Sequence, residues 1–197
     1  MNVPGTFSYL KSGRLQVQAS MSICGGSKVS CINGVAIAYG GSLVRFSIQA
    51  NKLVVARGSS DMSSLVVFKS TAKQDAYRVF MVSDRNSYVD VVMGTQQYGS
   101  YIDVNVAATP FIKRQGVDGF LGNGNGNPAD DVTEQAVLAN RFKISSTSNL
   151  FTCVSDGCQF VPLTAADKLP SSPVAVLQQG YTQVDVAKLP VSTFKPN

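Results

Sequence analysis

The chain has 197 residues, of which 44% are hydrophobic and 15% are charged, and its formal net charge is +5. This hydrophobic share is ordinary for a globular domain and argues against a disordered chain. The absence of histidine excludes Ser-His-Asp and Cys-His catalysis as well as histidine-ligated zinc. The 17 lysines and arginines are scattered, and no apolar run is as long as a membrane span. We therefore expect neither a nucleic-acid partner nor a membrane-spanning segment.

The residue types favour an all-β fold. Valine, which suits a pleated and half-buried surface, occurs 26 times, whereas the helix former glutamate occurs once and aspartate 11 times. Short runs alternate apolar and polar residues, as over 15–21, where Gln16, Gln18 and Ser20 are predicted to face solvent. We therefore predict an antiparallel β-sandwich of about nine strands. The predicted strands span 6–10, 15–21, 29–38, 44–48, 52–56, 64–69, 76–83, 88–93 and 102–106.

The dipeptide Asn33-Gly34 has two interpretations. Flanked by apolar residues, it could form a tight hairpin turn, or it could be a β-bulge within one strand over 29–38. We prefer the bulge, because Gly40-Gly41 provides a turn a few residues later.

The pattern changes after residue 110. Residues 111–131 have the composition of a loop, and a short helix is predicted over 132–140 with Asp130 or Asp131 as its cap. Prolines recur from residue 162 onward. We therefore divide the chain into a β domain over 1–155 and an extended, proline-containing tail, or the start of a following module, over 156–197.

Oxygen-bearing side chains are concentrated in the glycine-rich segment 119–131. Five of them lie within nine residues, and the intervening glycines let the backbone direct several oxygens at one point. Calcium is bound by about six to eight such oxygens. The composition is therefore compatible with a calcium loop, and also with a metal-free surface loop. The five side chains are those of Asn123, Asn125, Asn127, Asp130 and Asp131.

Two known calcium templates fit this loop poorly. An EF-hand loop starting at Asn123 would place Asn125, Asn127 and Glu134 at ligand positions, but Pro128 stands where that loop requires glycine. The calcium-binding β-helix needs several tandem copies of its repeat, and the chain has one.

The segment resembles a signature of the von Willebrand factor type D domain. That family reads Gly-Leu-Cys-Gly-Asn-Phe-Asn-Gly, followed by Asp-Asp, near the end of the domain. The similarity extends back to 3–19 and 27–44 and forward to 138–151, and it covers roughly residues 3–155. The matching loop residues are Gly119, Gly122, Asn123, Asn125, Gly126, Asp130 and Asp131.

The resemblance implies a secreted, mostly β structural module of adhesive, mucus or matrix proteins. Such modules carry calcium in this loop and assemble with neighbouring modules, matrix proteins or further copies of themselves. Carried over position by position, the calcium ligands are the side chains of Asn123, Asn125, Asp130 and Asp131, with the Gly124 carbonyl as a further oxygen.

The chain departs from the family pattern at three places. Leu121 stands where the family has cysteine, and Gly124 replaces an aromatic residue. The family's opening Gly-Asp-Pro-His segment is absent and no signal peptide is visible, so we expect a fragment of a longer secreted chain.

Four cysteines allow three disulfide pairings. We prefer the local pairs, in which Cys24 bonds to Cys31 across two strands and Cys153 bonds to Cys158 around a short loop. A four-cysteine zinc site and free thiols are the alternatives. Disulfides would indicate an oxidising, extracellular compartment.

No motif assigns an acid and a base to any pair of carboxylates, so catalysis is not expected. The leading hypothesis is a calcium-bearing structural module. The alternative is a carbohydrate-binding β-sandwich whose calcium loop positions a sugar. Tyr98 and Tyr101 are candidates for a sugar-stacking patch, although packing between strands is the commoner role of such residues.

Overall fold

The computed structural model describes residues 3–24, 29–97, 99–114, 116–125, 127–132, 134–154, 157–158, 160–167 and 175–194. Within these ranges the chain forms ten strands. They are β1 (Gly5–Ser12), β2 (Leu15–Cys24), β3 (Val29–Tyr39), β4 (Ser42–Gln49), β5 (Lys52–Arg57), β6 (Leu65–Ser70), β7 (Ala76–Met81), β8 (Asp84–Gln96), β9 (Gly99–Ala107) and β10 (Tyr181–Gln183). The first sheet is a meander in the order β1-β2-β3-β4-β5, and the second has the order β10-β6-β7-β8-β9.

The predicted all-β sandwich is confirmed. Both sheets are antiparallel, and the nine predicted strands correspond in order to β1–β9. The prediction misses β10, because a strand of three residues is too short to show an alternating pattern. It pairs with β6 at the edge of the second sheet.

The prediction of a bulge at Asn33-Gly34 is also confirmed. Residues 29–39 form the single strand β3, and the pairing with β2 changes from Ser20–Gly34 to Met21–Ile32. Asn33 is therefore the extra residue of a β-bulge.

The main core lies between the two sheets. Val17, Val35 and Phe46 of the first sheet belong to one buried cluster with Val79 and Val91 of the second sheet. All five side chains are fully buried. The two inner faces thus form one continuous core, as the period-two pattern requires.

The outer face of the first sheet is covered by chain, so the prediction that its polar residues face solvent is wrong. Gln16 is half-buried, and Gln18 and Ser20 are 3% and 1% exposed. The Gln18 amide pairs with the covering backbone, donating to the Ser148 carbonyl and accepting from the amide of Leu150. This layer packs large side chains against small residues of the sheet. Its members include Ala36, Ala38, Ala56, Leu150, Phe151 and Phe194.

The predicted helix exists, but its boundaries and cap differ from the prediction. Three α-helices occur in the described ranges, namely α1 (Pro110–Lys113), α2 (Gln135–Phe142) and α3 (Ala175–Gln178). The predicted helix is α2, which begins at Gln135 instead of 132 and has Glu134 as its N-cap, without a side-chain hydrogen bond. Asp130 and Asp131 do not cap it, because both carboxylates accept hydrogen bonds from the preceding loop.

Both preferred disulfides are present. Cys24 bonds to Cys31 with a Cα–Cα distance of 5.8 Å, and Cys153 bonds to Cys158 with a Cα–Cα distance of 5.1 Å. The four cysteines are thereby paired, so the zinc and free-thiol alternatives are wrong. No helix in the described ranges is long and apolar enough to cross a membrane.

The described part of 156–197 contacts both sheets. β10 extends the second sheet beside β6, and the carbonyl of Leu177 in α3 accepts a hydrogen bond from Arg78 of β7. Phe194 is buried against the outer face of the first sheet. Whether this segment starts a separate module stays a prediction.

Candidate metal centre

The glycine-rich loop is attached to the free edge of β1. The backbones of Asp118 and Lys11 exchange two hydrogen bonds of 2.7 and 2.9 Å. Farther along, the amides of Phe120 and Leu121 donate to the carbonyls of Ser8 and Tyr9, at 3.1 Å each. The loop therefore starts as an additional strand-like segment beside β1, and this pairing fixes its position on the sandwich.

Phe120 anchors the loop through aromatic contacts. Its ring meets Phe7 edge to face at 5.5 Å between centroids and stacks on Tyr9 at 6.4 Å. A third contact, at 6.3 Å, joins it to Phe142 at the end of α2. The aromatic cluster thus connects β1, the loop and the helix that follows the loop.

Two glycines of the loop lie where a Cβ atom would meet a neighbouring group at close range. At Gly119 a Cβ atom would lie 2.6 Å from the Tyr9 carbonyl oxygen, and at Gly122 it would lie 2.5 Å from Oδ1 of Asp131. Gly122 also has a φ of +89°, which favours glycine. The third glycine of the matching motif, Gly126, lies outside the described residues.

The structure brings the predicted side-chain ligands together. The amide groups of Asn123 and Asn125 donate to the two carboxylate oxygens of Asp130, at 3.2 and 2.7 Å. Asp131 lies beside them and accepts from the Asn123 backbone amide at 3.1 Å. Gly124, between the two asparagines, has a φ of +67° and closes the turn.

Asn127 has a separate role from these four side chains. Its side-chain oxygen Oδ1 accepts from the backbone amide of Ala129 at 3.2 Å and caps the short 3-10 turn Pro128–Asp130. Its own backbone amide donates to the side chain of Asn125 at 2.6 Å. Asn127 therefore shapes the turn that carries Asp130.

The side chains of the loop could offer their oxygens to a hard cation only after the side-chain amides of Asn123 and Asn125 rotate. In the structure Asn123 and Asn125 present nitrogen to Asp130, while their side-chain oxygens accept from backbone amides two residues later. A half-turn of each side-chain amide would exchange nitrogen for oxygen at the loss of all four of these hydrogen bonds. Carboxylate and amide oxygens are the ligands that calcium prefers.

Asp118 and Arg141 are part of this site, and the sequence analysis missed them. Together with Gly122, Asp130 and Asp131 they border a cavity of about 60 Å³. Asp118 and Arg141 form an exposed ion pair, with 3.2 Å between Oδ1 of Asp118 and Nη2 of Arg141. Within the described residues, however, no three carboxylates converge as a metal cluster. Asp118 directly precedes the glycine-rich motif, and this adjacency is the one sequence signal that could have identified it.

Tyr101 packs between strands in the described structure. A Cβ atom at Gly94, its partner on β8, would lie 2.4 Å from the Tyr101 ring, so the ring covers that glycine. Tyr98, the other candidate for a sugar-stacking patch, lies outside the described residues.

Comparison with known proteins adds no further identification. No protein-family model matches the chain, and no curated protein sequence matches it at a significant level. The resemblance to the von Willebrand factor type D domain therefore depends on the residues quoted above.

Proposed function

We propose that the chain is a structural module of an extracellular adhesive or matrix protein, and that calcium stabilises its loop over 122–131. The observation that carries the proposal is the convergence of Asn123 and Asn125 on Asp130, with Asp131 beside them. These are the positions that the family resemblance assigns to calcium. The loop is also held on a rigid edge by β1, and a metal site needs such a support.

The setting of the loop supports a structural role. Two disulfides are typical of proteins that fold in an oxidising compartment. The loop lies between β1 and α2, so a cation there would strengthen the connection between the sandwich and the helix. The partners that follow from this proposal are neighbouring modules, matrix proteins or further copies of the chain.

Calcium is expected to raise the melting temperature by a few degrees. The proposed site has two carboxylates and two neutral amides, so its dissociation constant should be of order 10⁻⁴–10⁻³ M. At millimolar calcium, binding to the folded state then adds about 0.5–1.5 kcal/mol to the free energy of unfolding. Calorimetry with calcium and then with chelator measures this rise and its reversal.

Matched variants separate the proposed loop from non-specific binding. Asp130→Asn keeps the size of the side chain and removes its charge, so it should abolish the calcium-dependent rise. Glu134→Gln removes an exposed charge just outside the loop and should leave the rise unchanged. An unchanged melting temperature with calcium, together with no heat in isothermal titration, would contradict the proposal.

A further inference from the structure

The chain contains three Asn-Gly dipeptides, at Asn33-Gly34, Asn123-Gly124 and Asn125-Gly126. In such a dipeptide the backbone nitrogen of the glycine can attack the side-chain carbonyl carbon of the asparagine, because glycine has no side chain to obstruct the approach. The structure describes both residues of the first two dipeptides, whereas Gly126 lies outside the described residues. Asn33 and Asn123 can therefore be compared directly.

The side chain of Asn123 is folded over the glycine that follows it. Its Oδ1 accepts a hydrogen bond from the backbone amide of Asn125 at 3.0 Å, so the side chain spans the Gly124 peptide. An Asx turn of this kind holds the side-chain carbonyl carbon close to the intervening backbone nitrogen. The same hydrogen bond would stabilise the negative charge that develops on Oδ1 during attack, as the donors of an oxyanion hole do.

Few contacts of the loop oppose this reaction at Asn123. Gly124 is exposed, and its amide donates to no acceptor in the part of the chain that the structure describes. The hydrogen bond from Nδ2 of Asn123 to Asp130 is 3.2 Å long and exposed to solvent. Water can therefore replace this bond at little cost when the amide nitrogen leaves.

Asn33-Gly34 has the same sequence in an opposite setting. Gly34 is buried in β3 and is paired with Ser20 of β2 on one side and Ser47 of β4 on the other. The side-chain amide of Asn33 donates to Oγ of Ser22 at 3.0 Å. Cyclisation at Asn33 would therefore require β3 to leave the sheet.

We propose that Asn123 is a site of spontaneous deamidation. The Gly124 nitrogen forms a bond to Cγ of Asn123 and loses its proton, and the amide nitrogen of Asn123 leaves as ammonia, which gives a five-membered succinimide. Water then adds to one of the two ring carbonyls and breaks its bond to the ring nitrogen, which leaves aspartate or isoaspartate at position 123. Either product adds one negative charge beside Asp130 and Asp131.

Asn127 provides a control within the same loop. It is exposed, but Pro128 follows it. Proline has no backbone N–H, so its nitrogen cannot form the succinimide. Exposure without an available nitrogen should therefore leave Asn127 intact.

Peptide mapping of the folded full-length chain, after incubation at mildly alkaline pH, measures the rates. Trypsin releases 29–45 and 115–141 after reduction, and fragment masses assign each conversion of amide to acid to one residue. Asn33 reacts only in molecules whose β3 has opened, so deamidation at Asn123 should be faster by about a hundredfold or more. Asn127 should show no conversion.

The same measurement on the chain unfolded in guanidinium separates the effect of the fold from that of the sequence. Both asparagines are followed by glycine, so their rates should become similar once the structure is lost. Folding should slow Asn33 and should not slow Asn123. The proposal is overturned if Asn123 reacts more slowly in the folded than in the unfolded chain, or as slowly as Asn33 in the folded chain.

The consequence for calcium rests on the proposed function of the loop. Asn123→Asp introduces the aspartate product directly, and a third carboxylate should lower the dissociation constant for calcium about three- to tenfold, because ligand charge sets calcium affinity. Isothermal titration measures the change, and an unchanged constant would contradict this consequence. Deamidation rates measured in the presence of chelator test the modification alone. If neither protein binds calcium, the proposed function fails while the deamidation result stands.

Discussion

Arg45 is a buried cation whose partners are backbone carbonyls. Its Nε donates to the carbonyl of Leu150 and its Nη1 to that of Ser192, both at 2.6 Å, and Nη2 donates to the carbonyl of Cys153. Burial lowers the pKa of Arg45 to about 10, so the guanidinium stays charged at neutral pH. A planar group with several donors can serve three carbonyls at once. Arg45 thereby ties two distant segments to β4.

Arg45→Met should lower the free energy of unfolding by about 3 kcal/mol or more. Methionine fills much of the same space, but it leaves one buried and two partly buried carbonyls without these donors, and a buried carbonyl without a donor costs about 1–3 kcal/mol. Urea denaturation of the variant measures the loss. Arg141→Met is the control, because Arg141 forms an exposed pair with Asp118 that contributes less than about 1 kcal/mol. Equal losses in the two variants would contradict the assigned role of Arg45.

At the scale of elements, the free edge of β1 determines where the loop lies. The segment 118–121 pairs with this edge, and Ile144, beyond α2, donates to the Thr6 carbonyl at 2.8 Å. Both ends of the loop-helix unit are therefore bound to the same strand. This arrangement covers an edge that would otherwise be open to pairing with another chain. It also gives the loop a rigid base, although its tip is exposed.

Gly122→Ala should destabilise the protein more than Gly116→Ala. The two glycines have similar φ values, +89° and +79°, so alanine adds about 1–2 kcal/mol of backbone strain at either position. At Gly122 the new Cβ also displaces the Asp131 carboxylate, whereas at Gly116 it meets no atom within 4 Å. Thermal unfolding of the two variants measures the difference. Equal shifts in melting temperature would show that the Asp131 contact has no energetic role.

At the scale of the whole molecule, the end of the chain contacts both sheets. On the second sheet, Arg78 lies between the rings of Tyr88 and Tyr181, at 4.0 and 4.8 Å from their centroids. It also forms an ion pair with Asp90 at 2.6 Å. On the first sheet, the amide of Phe194 donates to the Phe151 carbonyl at 3.1 Å. Through these contacts the described part of 175–194 packs against both sheets of the sandwich.

A chain that ends after Phe160 should therefore unfold at lower urea concentration and bind the dye ANS. Truncation removes β10 and Phe194 and exposes apolar surface on both sheets. Loss of a buried phenylalanine alone costs about 3–5 kcal/mol. The full-length variant Val191→Ser, which changes an exposed residue, is the control. An unchanged urea midpoint would instead support a domain that ends near residue 155.

Much of the fold follows from local sequence. Period-two alternation is a property of neighbouring residues, so it locates β1–β9 before any partner is known. The bulge at Asn33 could be predicted because an alternative turn, Gly40-Gly41, was visible a few residues later. The short sequence separation within each pair similarly indicated the two disulfides. The four side-chain ligands of the proposed calcium site also lie within nine residues, so their proximity was a local property.

The remaining features were decided by contacts between distant segments. Polar residues that alternate with apolar ones, such as Gln18 and Arg45, show the same pattern whether solvent or another layer of chain lies over them. Only tertiary structure places residues 148–153 and 192–194 there and turns these side chains into buried hydrogen-bonding groups. Asp118 and Arg141 likewise meet only because the loop pairs with β1 and α2 packs beside it. The sequence thus determined the strands and the composition of the loop. Long-range packing decided which polar residues are buried, because burial depends on what covers a face.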